Sequence, residues 1–245
     1  MASPEEALST LGLSRSLTFR YPDHVGTDDV QNFMIISEYE FKRVFDLTII
    51  LLFLPLFLPL IVLISIFSLL QQGKPIFFIQ NRVGKNNRLF KLYKFRTMET
   101  TAEEDFHRSH YLDLAKGKEI KPSNSPLEPI RIENDDRITK YGAFLRKTSL
   151  DELPNILNVL IGNMSIVGPR PLVNYESELY GEYNNKRCSV PPGITGLAQV
   201  QGRLDLSLQE RLFWDLQYID NYSFFEDIKI IYKTIASVIS RKGAN

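Results

Sequence analysis

Hydrophobic positions along this chain fall into three patterns. Residues 47–70 form one uncharged, mostly apolar run, LTIILLFLPLFLPLIVLISIFSLL. At about 1.5 Å per residue, a straight helix of that length crosses a hydrocarbon core of about 30 Å. Residues 76–80 and 89–96 are rich in aromatic and β-forming side chains and flank a loop at 83–87, which predicts a β-hairpin. Residues 137–147, 153–160, 208–218 and 224–239 show helical spacing. Between these elements, residues 1–40 and 99–135 are polar and weakly patterned. The stretch 190–196, which contains Pro191-Pro192-Gly193, is expected to be irregular.

The apolar run admits a buried core helix, a spanning helix or a re-entrant one, and its length argues against the first. Pro55 and Pro59 each remove a backbone donor and crowd the carbonyl four residues earlier, so they bend the segment on one face. Prolines also occur in spanning helices. The flanks separate the remaining two. Lys42 and Arg43 precede the run, and Lys74, Arg82, Lys85, Arg88 and Lys91 follow it. Positive charge prefers the cytoplasmic side. A helix–break–helix that dips into the bilayer and returns satisfies both flanks, and this form is the expectation. The aromatic-rich helices at 208–218 and 224–239 fit either core packing or helices lying on the membrane.

Composition sharpens this only a little. The 245 residues are 44% hydrophobic and 24% charged, with Lys+Arg 29 against Asp+Glu 29, so no nucleic-acid partner is expected. The single cysteine, Cys188, excludes an intrachain disulfide framework and is expected to be a plain small residue. The N-terminal residues lack the basic and apolar regions of a secretion signal. His107 and His110 lie beside Glu103, Glu104 and Asp105, but nothing completes a ligand set, and a solvated helix face is expected.

The candidate chemistry centres on Asp151 and Glu152, in Thr148-Ser149-Leu150-Asp151-Glu152-Leu153-Pro154. One frame makes Ser149 and Glu152 a capping box; another puts Pro154 at the first helical position. Either leaves both acids at a helix start, where free N–H groups keep carboxylates ionised and attract phosphate. Such a pair either only complements the helix dipole or supplies a nucleophile and a site for Mg²⁺. Arg170, between Pro169 and Pro171, is a stiffened fork for phosphate or a surface turn. Lys94 and Arg96 on the hairpin are phosphate ligands or headgroup contacts. No P-loop, dinucleotide fingerprint or nucleophile elbow is present.

Ordered motifs carry a resemblance. They are Phe78-Ile79-Gln80-Asn81-Arg82-Val83-Gly84, Tyr93-Lys94-Phe95-Arg96-Thr97-Met98, Arg146 through Pro154, Asn158-Val159-Leu160, Met164 through Pro171, and Pro192-Gly193-Ile194-Thr195-Gly196. From Lys42 to about Tyr232 the chain resembles the bacterial sugar transferases, the monotopic polyprenyl-phosphate phosphoglycosyl transferases. The resemblance implies an α+β, mainly helical monotopic membrane protein. It would comprise a polar extension (1–40), a re-entrant membrane helix broken at Pro59 and Pro55 (41–72), and a cytosolic catalytic domain (73–245) with a small hairpin and interfacial C-terminal helices.

It further implies that Asp151 attacks the sugar-bearing phosphorus of a UDP-sugar and releases UMP. Polyprenyl (undecaprenyl) phosphate then takes the phosphosugar. Glu152 would hold Mg²⁺, and Arg170, Arg96, Arg146 and Arg203 would bind phosphate. The implied setting is the cytoplasmic face of a bacterial inner membrane, where surface polysaccharide or glycoconjugate assembly begins and downstream glycosyltransferases follow. An inactive membrane scaffold is the alternative from another class. Three departures stand out. Leu58 precedes Pro59 where Ser is frequent, Asn87 replaces a usual Gly, and Leu197 through Arg203 differs from the common Trp-Ala-Gln-Val-Asn-Gly-Arg. The chain also lacks the large N-terminal membrane domain of longer relatives, so the compact form is expected.

Overall fold

The computed structural model describes residues 28–99, 137–202, 206 and 208–240. Most of the 1–40 extension, all but the first residue of the 99–135 stretch with His107 and His110, and Arg203 lie outside the described residues. What is described is mainly helical, with two small sheets.

The apolar run forms α1 (Asp28–Gln72), which starts earlier than expected, within the polar extension. Adding residues to an existing helix avoids the nucleation cost. Pro55 and Pro59 lie inside it, and the helix continues through both, so the expected break is not seen as a gap between two helices. The stretch Phe41–Gln72 is long and apolar enough to cross a membrane, yet only 11% of its most apolar window is buried by protein. That excludes a core helix. Leu52, Phe53, Leu56, Val62, Leu63, Phe67 and Leu70 stand exposed, and each would cost about 1.5–3 kcal/mol in water. A lipid phase removes that cost.

The other face of α1 lies along the rest of the protein. Lys42, Asp46, Ile50, Ile64 and Ser68 are buried, at spacings that repeat every one or several turns. At the start of the apolar stretch, Lys42 pairs with Asp227, Arg43 donates to the carbonyls of Val159 and Leu160, and Asp46 accepts from Ser165 Oγ at 2.6 Å. At the other end, Gln72 donates to the Arg96 carbonyl at 3.1 Å, and Arg96 donates back to the carbonyls of Gln72, Gly73 and Lys74.

The expected hairpin is present as β1 (Phe77–Val83) and β2 (Leu89–Phe95), antiparallel with Phe77 opposite Phe95 and Val83 opposite Leu89. In the turn between them Asn86 and Asn87 have φ of 55° and 58°. Asparagine tolerates this left-handed region better than other non-glycine residues, which explains Asn87 where glycine is usual.

After the undescribed stretch come α2 (Lys140–Lys147), capped by Thr139, and α3 (Asn155–Ile161), ended by Gly162 at φ 99°. Next is β3 (Ser165–Val167), followed by two one-turn helices, α4 (Asn174–Glu178) and α5 (Tyr183–Arg187). The stretch 190–196, expected to be irregular, instead contains β4 (Gly193–Thr195), parallel to β3. A three-residue strand carries no readable alternation, and its partner is distant in sequence. The approach is close: a Cβ on Gly193 would sit 2.1 Å from the Gly168 nitrogen. The chain ends with α6 (Leu197–Gln201), α7 (Leu208–Asp220) and α8 (Phe224–Ser240).

Three apolar clusters join these elements. Ile50 of α1 packs with Phe90, Leu92, Ile156, Val159 and Met164, and Ile64 packs with Phe95 and Leu145. Val167, Leu197, Tyr218 and Ile230 form the third, under α7 and α8.

Candidate active site

The acid pair sits where two clusters leave a gap. After α2 the chain reverses at Ser149, φ 56°, and Leu150–Glu152 form a single 3₁₀ turn. Leu150 and Leu153 pack against the Ile64–Phe95–Leu145 cluster, which fixes the turn and leaves Asp151 and Glu152 between them at its edge. The capping-box frame does not hold: Ser149 makes no side-chain cap bond, and Pro154 directly precedes the first residue of α3 with helical backbone angles. The proline therefore sits beside the position expected by the rival frame, where its missing N–H costs nothing.

Lys94, from β2, donates to Glu152 Oε1 at 2.5 Å. Burial pushes the Glu152 carboxyl up, but Lys94, Arg170 and Arg82 overcome it and hold it down at about 2. Asp151 behaves in the opposite way. Burial raises its carboxyl, Lys94 and Arg146 pull it down, the Glu152 charge beside it pushes up again, and the net shift is upward. Neighbouring carboxylates driven apart in this way are suited to different chemical roles.

Glu152 faces a small open pocket, lined by Arg82, Lys94, Asn155, Met164, Arg170 and Gly193 among others. Of the sequence-predicted residues, Glu152, Lys94 and Arg170 meet there, with Asp151 close enough to sense Lys94. Arg146 influences Asp151 electrostatically and donates to Thr97 Oγ1 at 2.9 Å. Arg96 is elsewhere: it is buried, and its guanidinium binds the carbonyls that end α1. Arg96 is not among the residues that line the pocket.

Arg82 and Asn155 line the pocket without having been singled out. A signal for Arg82 existed. The hairpin register puts Phe78, Gln80 and Arg82 opposite Lys94, Leu92 and Phe90, so Arg82 and Lys94 share a face. Asn155, 2% exposed, had no such signal.

The bacterial sugar transferase family model matches residues 37–241. This chain belongs to the bacterial sugar transferase family. Among its relatives, the UDP-galactose-lipid carrier transferase of Erwinia amylovora is 40% identical over 203 residues, covering 83% of this chain and 41% of that protein. The exopolysaccharide production protein ExoY of Rhizobium meliloti is 39% identical, covering 83% of this chain and 87% of that protein. The undecaprenyl-phosphate galactose phosphotransferase of Salmonella typhimurium is 37% identical over 209 residues, with 83% and 41% covered. The sugar transferase described here thus spans about two-fifths of the length of two of these relatives and most of the third.

Among the described residues no group of three His, Cys, Asp or Glu side chains forms a ready metal cage. The donor set still fits Mg²⁺, which takes one or two carboxylates and completes its shell with substrate phosphates and water. Glu152 could supply such an oxygen, with Asp151 beside it and with Arg82, Lys94 and Arg170 around the pocket for the remaining negative charge.

Proposed function

We propose that this sugar transferase moves a sugar-1-phosphate from a UDP-sugar to polyprenyl phosphate, with UMP as the leaving group. One observation carries the reading. Two adjacent carboxylates are pulled in opposite directions at the edge of a pocket whose lining supplies three cations, Arg82, Lys94 and Arg170. The printed names of the relatives from Erwinia and Salmonella support a nucleotide-sugar donor and a lipid-phosphate acceptor.

In the proposed reaction an Asp151 carboxylate oxygen attacks the sugar-bearing phosphorus. The bond from that phosphorus to the bridging oxygen breaks, and UMP departs with the electron pair. Polyprenyl phosphate then attacks the same phosphorus and frees the Asp151 carboxylate. The upward push on Asp151 makes its ionised form the more basic and reactive of the pair. Glu152, which the surrounding cations keep ionised well below neutral pH, would hold Mg²⁺, and that ion would supply charge neutralisation for the diphosphate. Arg170, Lys94 and Arg82 orient the phosphates and stabilise charge in the transition state.

We further propose that α1 enters one leaflet and returns rather than crossing. Polar contacts near Lys42 and near Gln72 hold both ends of the apolar stretch Phe41–Gln72 to the same globular unit, which supports one-sided insertion. Exposed Phe225, Ile228, Tyr232 and Ile235 form a stripe on α8, whose first residue Phe224 packs against Phe41 and Phe45 of α1. This supports an interfacial seat for α8 on the same membrane.

The test incubates the purified chain in detergent with Mg²⁺, undecaprenyl phosphate and a panel of UDP-sugars headed by UDP-galactose, and measures the nucleotide released. UMP is expected. UDP release would indicate ordinary glycosyl transfer, and no nucleotide with any sugar would sink the proposal. For topology, cysteines placed at Ser37 and Lys85 are expected to label from one side; labelling from opposite sides would mean that α1 spans.

A further inference from the structure

Arg170 sits in Gly168-Pro169-Arg170-Pro171, where the prolines remove two backbone donors and restrict φ. Such a loop cannot satisfy its own carbonyls, and three different elements satisfy them instead. Gly193 N–H of β4 donates to the Pro169 carbonyl at 2.9 Å, and Arg82 Nη1 of β1 donates to Pro171 at 3.2 Å. The middle carbonyl, that of Arg170 itself, accepts from Arg187 Nη2 at 2.5 Å.

Arg187 is the last residue of α5 and lies behind the loop, away from the pocket lining. It is 3% exposed and pairs through Nε with Asp215 of α7 at 2.8 Å. Its guanidinium also lies 5.6 Å from the centre of the Tyr180 ring. A buried ion pair is a poor source of stability, because desolvating two charges offsets most of their attraction. What this pair does supply is geometry. Nε of the planar guanidinium meets the Asp215 carboxylate, and Nη2 is thereby held toward one carbonyl of the loop.

We propose that Arg187 is a positioning residue for Arg170: oriented by Asp215, it fixes the loop from behind and so aims the Arg170 guanidinium into the pocket. The inference rests on the reading of Arg170 as a phosphate ligand. Arg187 never meets the substrate, and Asp215 acts one step further back.

The test is a double-mutant cycle on the full chain, read first by titrating inorganic diphosphate with Mg²⁺ in a calorimeter, which needs no turnover. Four proteins are compared: wild type, Arg170→Ala, the apolar replacement Arg187→Met/Asp215→Leu, and the triple variant. Melting temperature is followed in parallel. Arg170→Ala and the apolar replacement are each expected to weaken binding about ten-fold, and the triple variant to fall no more than about two-fold below Arg170→Ala.

An equal loss from the apolar replacement in both backgrounds would show a general structural effect and overturn the proposal. No loss, or no diphosphate binding by wild type, overturns it as well. Arg187→Lys is the second variant should the apolar replacement fail to fold. It keeps a cation opposite Asp215 but loses the two-armed contact, and is expected to show the same dependence on Arg170. If wild type binds diphosphate but releases no UMP from any UDP-sugar, the proposed reaction fails while the cycle still judges Arg187.

Discussion

Two lysine–carboxylate pairs occupy this protein in opposite surroundings. Lys42 and Asp227 are 3% and 1% exposed, and the second Asp227 oxygen accepts from the Tyr218 hydroxyl at 2.7 Å. Lys42 also lies 5.7 Å from the centre of the Tyr222 ring. Lys94 and Glu152 are 19% and 27% exposed, and they border an open pocket with Arg82 and Arg170 in its lining. In the first pair the protein completes the shell around the charges, and what results is an anchor between α1 and α8. In the second the shell is left open toward the pocket, with excess positive charge nearby. The chemistry of the two pairs is the same; their completeness separates scaffold from site.

The largest expected effect lies beside the open pair. Asp151→Asn should lower UMP release by about four orders of magnitude, as loss of a nucleophile does, and should remove the covalent phosphosugar adduct from the intact mass. An adduct persisting on that variant would falsify the nucleophile role.

The two lysines should then separate cleanly. Lys42→Met leaves Asp227 buried without its cation and should cost about 3–5 kcal/mol of stability, seen as a lower melting temperature, with turnover per folded molecule unchanged. Lys94→Met should do the reverse, reducing turnover about a hundred-fold with little thermal effect. If both variants fail in the same way, the distinction between anchor and site collapses.

A smaller effect follows from pH. Glu152 is held at about 2 against an ordinary 4.5, so its ionised form favours the folded state. That contribution is complete above about pH 4.5 and is lost as pH falls toward about 2. Thermal unfolding of Glu152→Gln should therefore show a shallower acid loss than wild type in that window.

The smallest effect has the opposite sign. Because the Asp151 carboxyl is pushed above its ordinary 3.8, its ionised form opposes folding at neutral pH. Asp151→Asn should raise the melting temperature by about 2 °C at pH 7, a gain that fades as pH falls through the raised value toward 3.8 and is gone below it.

Much of this was legible in the residues, for identifiable reasons. The apolar run and the hairpin announce themselves because their periodicity is local. Asp151, Glu152 and Arg170 stood out through their neighbours in sequence. The short β3–β4 pairing was hidden, since neither strand is long enough to show alternation, and the glycines that permit it look like loop residues. In the sequence Lys42 and Arg43 stand out only as charges on the flank of the run. In the structure they are buried or half-buried ties to α8 and α3, a role that depends on contacts across more than a hundred residues. Arg96 shows the converse: its motif suggested a ligand, but the three carbonyls at the end of α1 occupy its guanidinium.

Those carbonyls have a mechanical consequence. Arg96 grips Gln72, Gly73 and Lys74, and β1 starts at Phe77, so almost no slack separates α1 from the strand that carries Arg82. With Lys42 and Asp46 clamped at the other end, the apolar helix and the basic pocket move as one piece. Many membrane enzymes hang from a tether and sample a range of heights above the lipid. Here the reach is set by side-chain lengths, and under the proposed reaction an acceptor phosphate drifting in the plane of the headgroups would meet the pocket at one fixed altitude.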